Sequence, residues 1–422
     1  LDANRDLPSE WVMQRVKGTR DLLGKELRAQ KHVVEVLSQV FGLHGFREVE
    51  TPILEPLELF TIRSGETVVR QLYCFEDKSG RKLVLRPELT APVARLYCER
   101  LRSEPKPLRI CYFGACFRYE EPQAGRWREF RQAGAEIIGS SHPASDAEII
   151  ELACEAFERL GLKTRLAVGH ISLLRQVLKE AGVAAERQDP ILRAIDSKDE
   201  GRINQELQNA GVSRGDQQKL KNLISLKGGK EVIEKVKGMF GLSPTVENLE
   251  AIIELLEKMD VNFELDLGIA RGLDYYTGCV FEFYAGGMQL AGGGRYDELI
   301  ELIGGEKVPA VGIGFGVDRI ASLLQVDDEP PPDLLILPVG EELVGEAMKL
   351  ARNLRKRGLS VEVEVMGRKL SKGLEYADSR KIPKVLILGR TDLEVGQVTV
   401  RDMKTGEQQK VEMQKVMEFF RT

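Results

Sequence analysis

Arg118 and Glu120 are followed, across a polar loop, by Arg126, Arg128, Phe130, Gln132 and Glu136. Read as a strand, this stretch puts Phe130, Gln132, Gly134 and Glu136 on one face, because alternate residues point the same way. A ring, an amide, a position without a side chain and a carboxylate would make a floor for a small polar ligand. A half-exposed sheet face beside a solvated loop would show the same residues. The second cluster, Arg271-Gly272-Leu273-Asp274-Tyr275-Tyr276-Thr277-Gly278, sets an arginine beside two adjacent tyrosines. In a straight strand the two tyrosines would face apart. Both reach one pocket only if the chain bends, which Gly272 and Gly278 permit. A hairpin with packed tyrosines is the plainer alternative. The third cluster is Gly292-Gly293-Gly294-Arg295-Tyr296-Asp297, followed by Gly312-Ile313-Gly314-Phe315-Gly316-Val317-Asp318-Arg319. Its glycines would let backbone approach a ligand, and the closing Arg319 would pair with phosphate oxygens. Tight turns and close packing would use the same glycines. GxxxxGK[ST] does not occur, which excludes a P-loop, and no GxGxxG unit opens a helix near the start, which weighs against a dinucleotide-binding fold.

These clusters need elements to position them. Leu27, Val33, Val34, Leu37, Val40 and Phe41 predict a helix over 24–41, ended by Gly42 and Gly45. Phe46–Glu50 predicts a strand stopping at Thr51-Pro52, and Lys82–Leu85 a second. Arg109–Phe113 runs into Arg118 and returns through Phe130 to Ile138, as two long antiparallel strands. A helix over 145–160 follows, with Ser145 and Glu148 as its capping box. Of the chain's 15 Phe, 9 Tyr and 2 Trp, only Phe240 falls in 171–262. That stretch carries Lys, Glu, Leu and Ile at helical spacing, with breaks at 211–215 and 228–229, and predicts a helical insertion. Beyond the linker Asp327-Asp328-Glu329-Pro330-Pro331-Pro332, strands alternate with helices, the last helix over 411–420. This predicts an α/β module with a largely parallel sheet. The expected parts are 1–170 and 263–326 for one split domain, 171–262 for the insertion and 333–422 for the module.

With 422 residues, 42% of them hydrophobic, the chain can bury real cores. No run of ~18 apolar residues predicts a membrane span, and the start, Leu1-Asp2-Ala3-Asn4-Arg5, lacks the apolar stretch of a secretory signal. Six scattered cysteines without CxxC, and four histidines without HxxxH, point to free thiols in a reducing compartment, the cytoplasm, and to no protein-held metal. The net charge of −5 argues against a basic coat for nucleic acid. Residues 333–422, however, carry 17 Lys and Arg against 14 Asp and Glu, a net of +3 that suits a local nucleic-acid contact.

The clusters resemble the class II aminoacyl-tRNA synthetases, and within them the histidyl-tRNA synthetases, nearly end to end. Phe46–Pro56 resembles motif 1, Phe117–Glu136 motif 2 and Gly312–Arg319 motif 3. Arg271–Gly278 and Gly293–Asp297 resemble the two histidine-specific motifs. The resemblance implies an α+β fold: a six-stranded antiparallel sheet with flanking helices, a helical insertion and a C-terminal anticodon-binding domain. It implies a homodimer with Pro52 at its interface, and ATP, Mg2+, L-histidine and histidine tRNA as partners. Arg118 and Arg319 would hold phosphates, Phe130 would stack on adenine and Glu120 would contact it. Glu88, Thr90 and Gln132 would bind the α-ammonium. Glu136 and Tyr276, with Tyr275 adjacent, would read the imidazole, and Arg271 would bridge carboxylate and α-phosphate. The chain departs from the family pattern at Glu121, at Asp318 where Glu is commoner, and in a glycine run one residue longer. The runner-up is a paralogue that binds histidine as a regulatory subunit without charging tRNA; a third reading is a non-catalytic tRNA sensor. Lys369-Leu370-Ser371-Lys372-Gly373 resembles the lysine loop of class I synthetases, but without that class's HIGH tetrapeptide it reads as the start of a helix.

Overall fold

The computed structural model describes residues 14–62, 69–120, 126–271 and 275–420. Glu121 and the loop to Gly125, and Gly272, Leu273 and Asp274 of the arginine–tyrosine cluster, lie outside the described residues. The chain forms two compact units, Leu1–Asp327 and Asp328–Thr422, which meet inside the expected linker. Among the described residues no helix is long and apolar enough to cross a membrane.

In the first unit six strands pair antiparallel in the order Leu108–Phe117, Glu129–Ile138, Ala310–Gly316, Met288–Arg295, Cys279–Ala285 and Arg165–His170. The sheet is nine-stranded rather than six. Arg47–Glu48 adds in parallel at one edge; Glu264–Asp266, in parallel, and Lys227–Gly228, antiparallel, extend the other. Alternation divides the two faces. Phe113, Phe283 and Phe315 turn toward helices Gly24–Leu43 and Pro143–Arg159, where Phe41 and Phe157 lie 5.9 and 5.8 Å from the Phe315 ring. The opposite face carries the sequence clusters.

The second helix starts earlier than expected, and Ser145 and Glu148 form no capping box. His142 is the cap: its Nδ1 accepts from the Ala144 amide at 3.1 Å, and Pro143 takes the first turn, where no amide is needed. Ser145 Oγ donates to the His142 carbonyl instead, and Glu148 is drawn off by a two-bond pair with Arg109. The stretch 171–262 holds six helices, from Ile171–Glu180 to Pro244–Lys258. Their buried Leu, Ile and Val residues join one apolar core with the large sheet.

The second unit is a five-stranded sheet in the order Val361–Val363, Leu334–Pro338, Lys384–Leu388, Gln397–Asp402, Gln408–Glu412. Only the first three strands run parallel; the last two pair antiparallel. The expected helix over 411–420 is therefore corrected to the end of a hairpin strand followed by a 3-10 turn, Met413–Phe420. Asp402 makes the hairpin by accepting from the amides of Lys404 and Thr405, with Gly406 at φ +78° completing the turn.

Candidate active site

A cleft of roughly 930 Å3, including the space at its open mouth, lies over the face turned away from the two helices. Glu88, Thr90, Arg118, Glu120, Phe130, Gln132, Arg271, Tyr275, Tyr276 and Arg319 all line it. These are the residues to which the resemblance gave a substrate role, except Glu136, which is buried beneath.

Space for these side chains comes from glycines in register. Tyr112, Gly134, Gly314, Gly292 and Glu282 form one row across five strands; Glu136, Gly312 and Gly294 form part of the next. A Cβ at Gly134 would overlap the Tyr112 hydroxyl, one at Gly312 the Glu136 carboxylate, and one at Gly292 the Arg271 guanidinium. These glycines serve neither turns nor contact of bare backbone with a ligand alone. They clear a sheet face so that side chains from neighbouring strands can lie across it.

One end of the cleft is cationic. Arg118 donates from Nε to the Pro87 carbonyl at 2.9 Å and places its guanidinium 5.1 Å from the Phe130 ring centre. Arg319 donates to the Gln289 carbonyl at 2.9 Å. Burial, and then the nearby guanidinium of Arg126, push its pKa below the ordinary arginine value, with Arg118 adding to the effect. Mutually repelling, partly desolvated guanidinium groups around one space form a polyanion site. Arg271 borders the same space, paired with Glu282 at 3.2 Å and stacked 5.3 Å from Tyr276. Its Nε is buried and makes no hydrogen bond among the described residues. The chain bends at Arg271 itself, with φ +43°, and Tyr275 and Tyr276 both line the cleft, their rings 4.9 Å apart.

The other end is acidic and enclosed. Glu88 accepts from the amides of Thr90 and Ala91 at 2.5 and 2.9 Å, while burial pushes its pKa up. Glu136 is 1% exposed. It accepts from Thr90 Oγ1 at 3.0 Å, Tyr112 at 2.7 Å and Tyr296 at 2.5 Å. Burial outweighs these hydroxyls and pushes its pKa up to about 7. Tyr112 was missed in the sequence, and Tyr296 had no role assigned. The available signal was Tyr112 standing two residues before Gly114 on a strand whose partner carries Gly134. Arg295, in the glycine cluster, binds no ligand space: it is buried against Asp146 at 2.5 Å and ties the second helix to the sheet. Away from the cleft, His44, Glu151 and Glu155 have metal-ligand composition. Glu155 there is held by His44 at 2.8 Å and by Arg159 at 2.6 Å, an ion-pair cluster.

The family model of histidyl-tRNA synthetase matches residues 18–320, and that of an anticodon binding domain matches 333–422. The histidine–tRNA ligase of Methanocaldococcus jannaschii is 42% identical over 97% of this chain and 99% of its own length. That of Pyrococcus furiosus is 42% identical over the same shares. Among solved structures, apo histidyl-tRNA synthetase of S. aureus aligns with TM-score 0.71 at 25% identity, covering 97% of this chain and all of that one. A Bacillus halodurans protein described as an ATP phosphoribosyltransferase regulatory subunit/histidyl-tRNA synthetase aligns with TM-score 0.76 at 28% identity, covering 90% and 98%. The antiparallel sheet, its cleared face and the arginines over it define the catalytic fold of a class II aminoacyl-tRNA synthetase. Matched along most of its length, the chain belongs to the histidyl-tRNA synthetase family.

Proposed function

We propose that the protein joins L-histidine to its tRNA in two steps, through histidyl-adenylate, with ATP entering as its Mg2+ complex. The observation that carries this is one cleft in which Arg118 and Arg319 stand at one end, Arg271 lies against Tyr276, and Glu136 is buried beneath the other end. A histidine carboxylate oxygen attacks the α-phosphorus, the bond to the bridging oxygen breaks and pyrophosphate leaves. The carboxylate is already ionised at pH 7, so no general base is needed. Two anions must approach, and fixed guanidinium groups offset their repulsion and stabilise the added charge. Arg118 and Arg319 hold phosphates, Phe130 stacks on adenine and Glu120 contacts it. Glu88, Thr90 and Gln132 take the ammonium. Glu136 accepts from one ring nitrogen and Tyr276 donates to the other, a pairing that apolar side chains of similar size cannot make. Mg2+ would supply charge neutralisation at the phosphates, and the buried carboxylates Glu88 and Glu282, which accept from the chain's own donors, border the space where it would lie. The terminal ribose hydroxyl of the tRNA then takes the histidyl group. Histidine-dependent exchange of pyrophosphate into ATP tests the first step; folded protein without exchange would sink it. The regulatory-subunit reading is not favoured, because the cationic cleft and the C-terminal module are both kept.

The module Asp328–Thr422 serves tRNA rather than adenylation, in keeping with its match to an anticodon binding domain. Removing it should leave pyrophosphate exchange within about twofold and cut tRNA charging by about 100-fold or more, the loss expected when phosphate contacts are removed together. Charging at the parental rate would refute this role.

The functional unit is a cytoplasmic homodimer. A small sheet of Leu54–Pro56, Lys82–Leu85 and Tyr73–Glu76 sets Leu54, Leu85 and Tyr73 in one row and Pro56, Leu83 and Phe75 in the next. This face is apolar throughout, with Leu54 49% and Phe75 42% exposed beside exposed Pro52 and Ile53. A contiguous apolar face of this kind marks an interface. Light scattering should give twice the chain mass, and Phe75→Glu should give monomers. A monomeric parent at micromolar concentration would remove the proposal.

A further inference from the structure

The segment ahead of the first helix shapes the cleft without lining it. Arg20 donates from Nη2 to Asp318 Oδ1, and its guanidinium lies 4.8 Å from the Trp127 ring centre. Asp318 is 9% exposed. Its Oδ1 also accepts from Gln30, and its Oδ2 accepts from the Arg131 amide at 2.5 Å. One carboxylate thus joins Arg20, the first helix, the strand Glu129–Ile138 and the short helix Val317–Ala321 that carries Arg319. Close by, the Gly18 carbonyl accepts from the Arg128 amide at 2.8 Å. Arg128 in turn donates to the Glu120 carbonyl at 3.1 Å and lies 4.1 Å over the Tyr119 ring.

We propose that Arg20 is a positioning residue for the nucleotide end of the cleft: through Asp318 and Trp127 it sets Arg319 and the wall from Trp127 to Arg131 in the arrangement that receives ATP. The inference rests on the ATP reading of this cleft. Asp318 is a buried acceptor, and a carboxylate in that position is costly to bury without a charged donor that pairs with it and fixes it. Arginine supplies both a charge and a planar face, so one side chain holds the carboxylate and the indole together. The pieces it joins border the cationic end, while Glu88, Thr90 and Tyr276 stand on segments that show no bond to Arg20. Its loss should therefore be felt by one substrate and not the other, which a general loss of stability would not produce.

The test is pyrophosphate exchange on the full-length chain. Arg20→Ala should raise the KM for ATP by about tenfold or more, as expected for loss of a charged hydrogen bond, with the KM for histidine within about twofold. Arg20→Lys, which keeps the charge but loses the fork and the stacking face, should fall between. Asp318→Asn combined with Arg20→Ala should be no worse than the more impaired single variant, because both break one linkage. An unchanged KM for ATP in Arg20→Ala, or equal rises for both substrates, would overturn the proposal. Should Arg20→Ala melt below the assay temperature, Arg20→Lys and Asp318→Asn carry the same comparison. If the parent shows no exchange, the function proposed above falls. Calorimetric ATP binding to parent and Arg20→Lys then still decides the role of Arg20: tenfold weaker binding upholds it and equal binding refutes it.

Discussion

Arg271→Ala should slow histidyl-adenylate formation by about 1000-fold while weakening histidine binding by no more than about tenfold. The asymmetry follows from what holds the side chain. Glu282 fixes one terminal nitrogen at 3.2 Å, and the guanidinium lies against Tyr276, yet Nε has no hydrogen bond among the described residues. A buried donor left unmet in the free protein is costly, and a ligand oxygen is the natural acceptor for it. If that oxygen belongs to the group on which charge develops at the α-phosphorus, the contact strengthens along the reaction. On the proposed roles, histidine would keep its contacts to Glu88, Thr90, Gln132, Glu136 and Tyr276, so its affinity would depend on Arg271 only in part. Single-turnover quench kinetics beside equilibrium histidine binding separate the two effects. Equal losses in both would mean that Arg271 contributes ground-state affinity and nothing specific to the transition state.

Glu136→Gln should do the reverse to affinity and rate, and should not harm the fold. The KM for histidine is expected to rise by about 100-fold, the cost of removing a buried, charged acceptor from a ring N–H. Stability should move the other way. The folded protein holds the Glu136 carboxyl up to about 7, against an ordinary glutamate value of about 4.3 when unfolded. A raised folded pKa means that the group's stabilising contribution is complete below the unfolded value and is lost as pH rises through about 7. At pH 8 the parent therefore carries a buried charge that the amide does not. The variant's melting temperature at pH 8 should be no lower than the parent's, and the gap between them should close toward pH 4. A variant that melts well below the parent at pH 8 would show that the three hydroxyls need the carboxylate as a structural hub.

The parts that were legible in the sequence are those whose pattern is long enough to repeat. The hairpin from Leu108 to Ile138 and the helix ending at Leu43 span several periods of their alternation, and they stand where their spacing placed them. Arg47–Glu48 falls within the expected strand Phe46–Glu50, whereas Lys227–Gly228 has only two residues, too few for any period, so the sheet came out wider than expected. The strand Gln408–Glu412 buries only Val411 and reads as polar, which hid the closing hairpin of the second unit. The cleft divides in the same way. Its arginines, tyrosines and carboxylates announce themselves by type, in segments far apart in the chain. That Tyr112 and Tyr296 converge on Glu136 depends on strand register, and register is a property of pairing that no single segment displays. Asp318 looked like a departure of one methylene; in the structure it is a joint between distant segments.

The cleared sheet face also limits how this pocket can be remade. Pockets are commonly widened by trimming a side chain from the floor, but at Gly134, Gly314, Gly292, Gly312 and Gly294 there is nothing left to trim. Adding a methyl at Gly134, Gly312 or Gly292 displaces Tyr112, Glu136 or Arg271, and one at Gly314 or Gly294 runs into Gln132 or Tyr276. A variant meant to accept a bulkier amino acid has to change the residues that stand over the floor, and those are the residues proposed to carry the recognition. In this protein, neither filling the floor nor widening the space above it leaves those side chains where they stand.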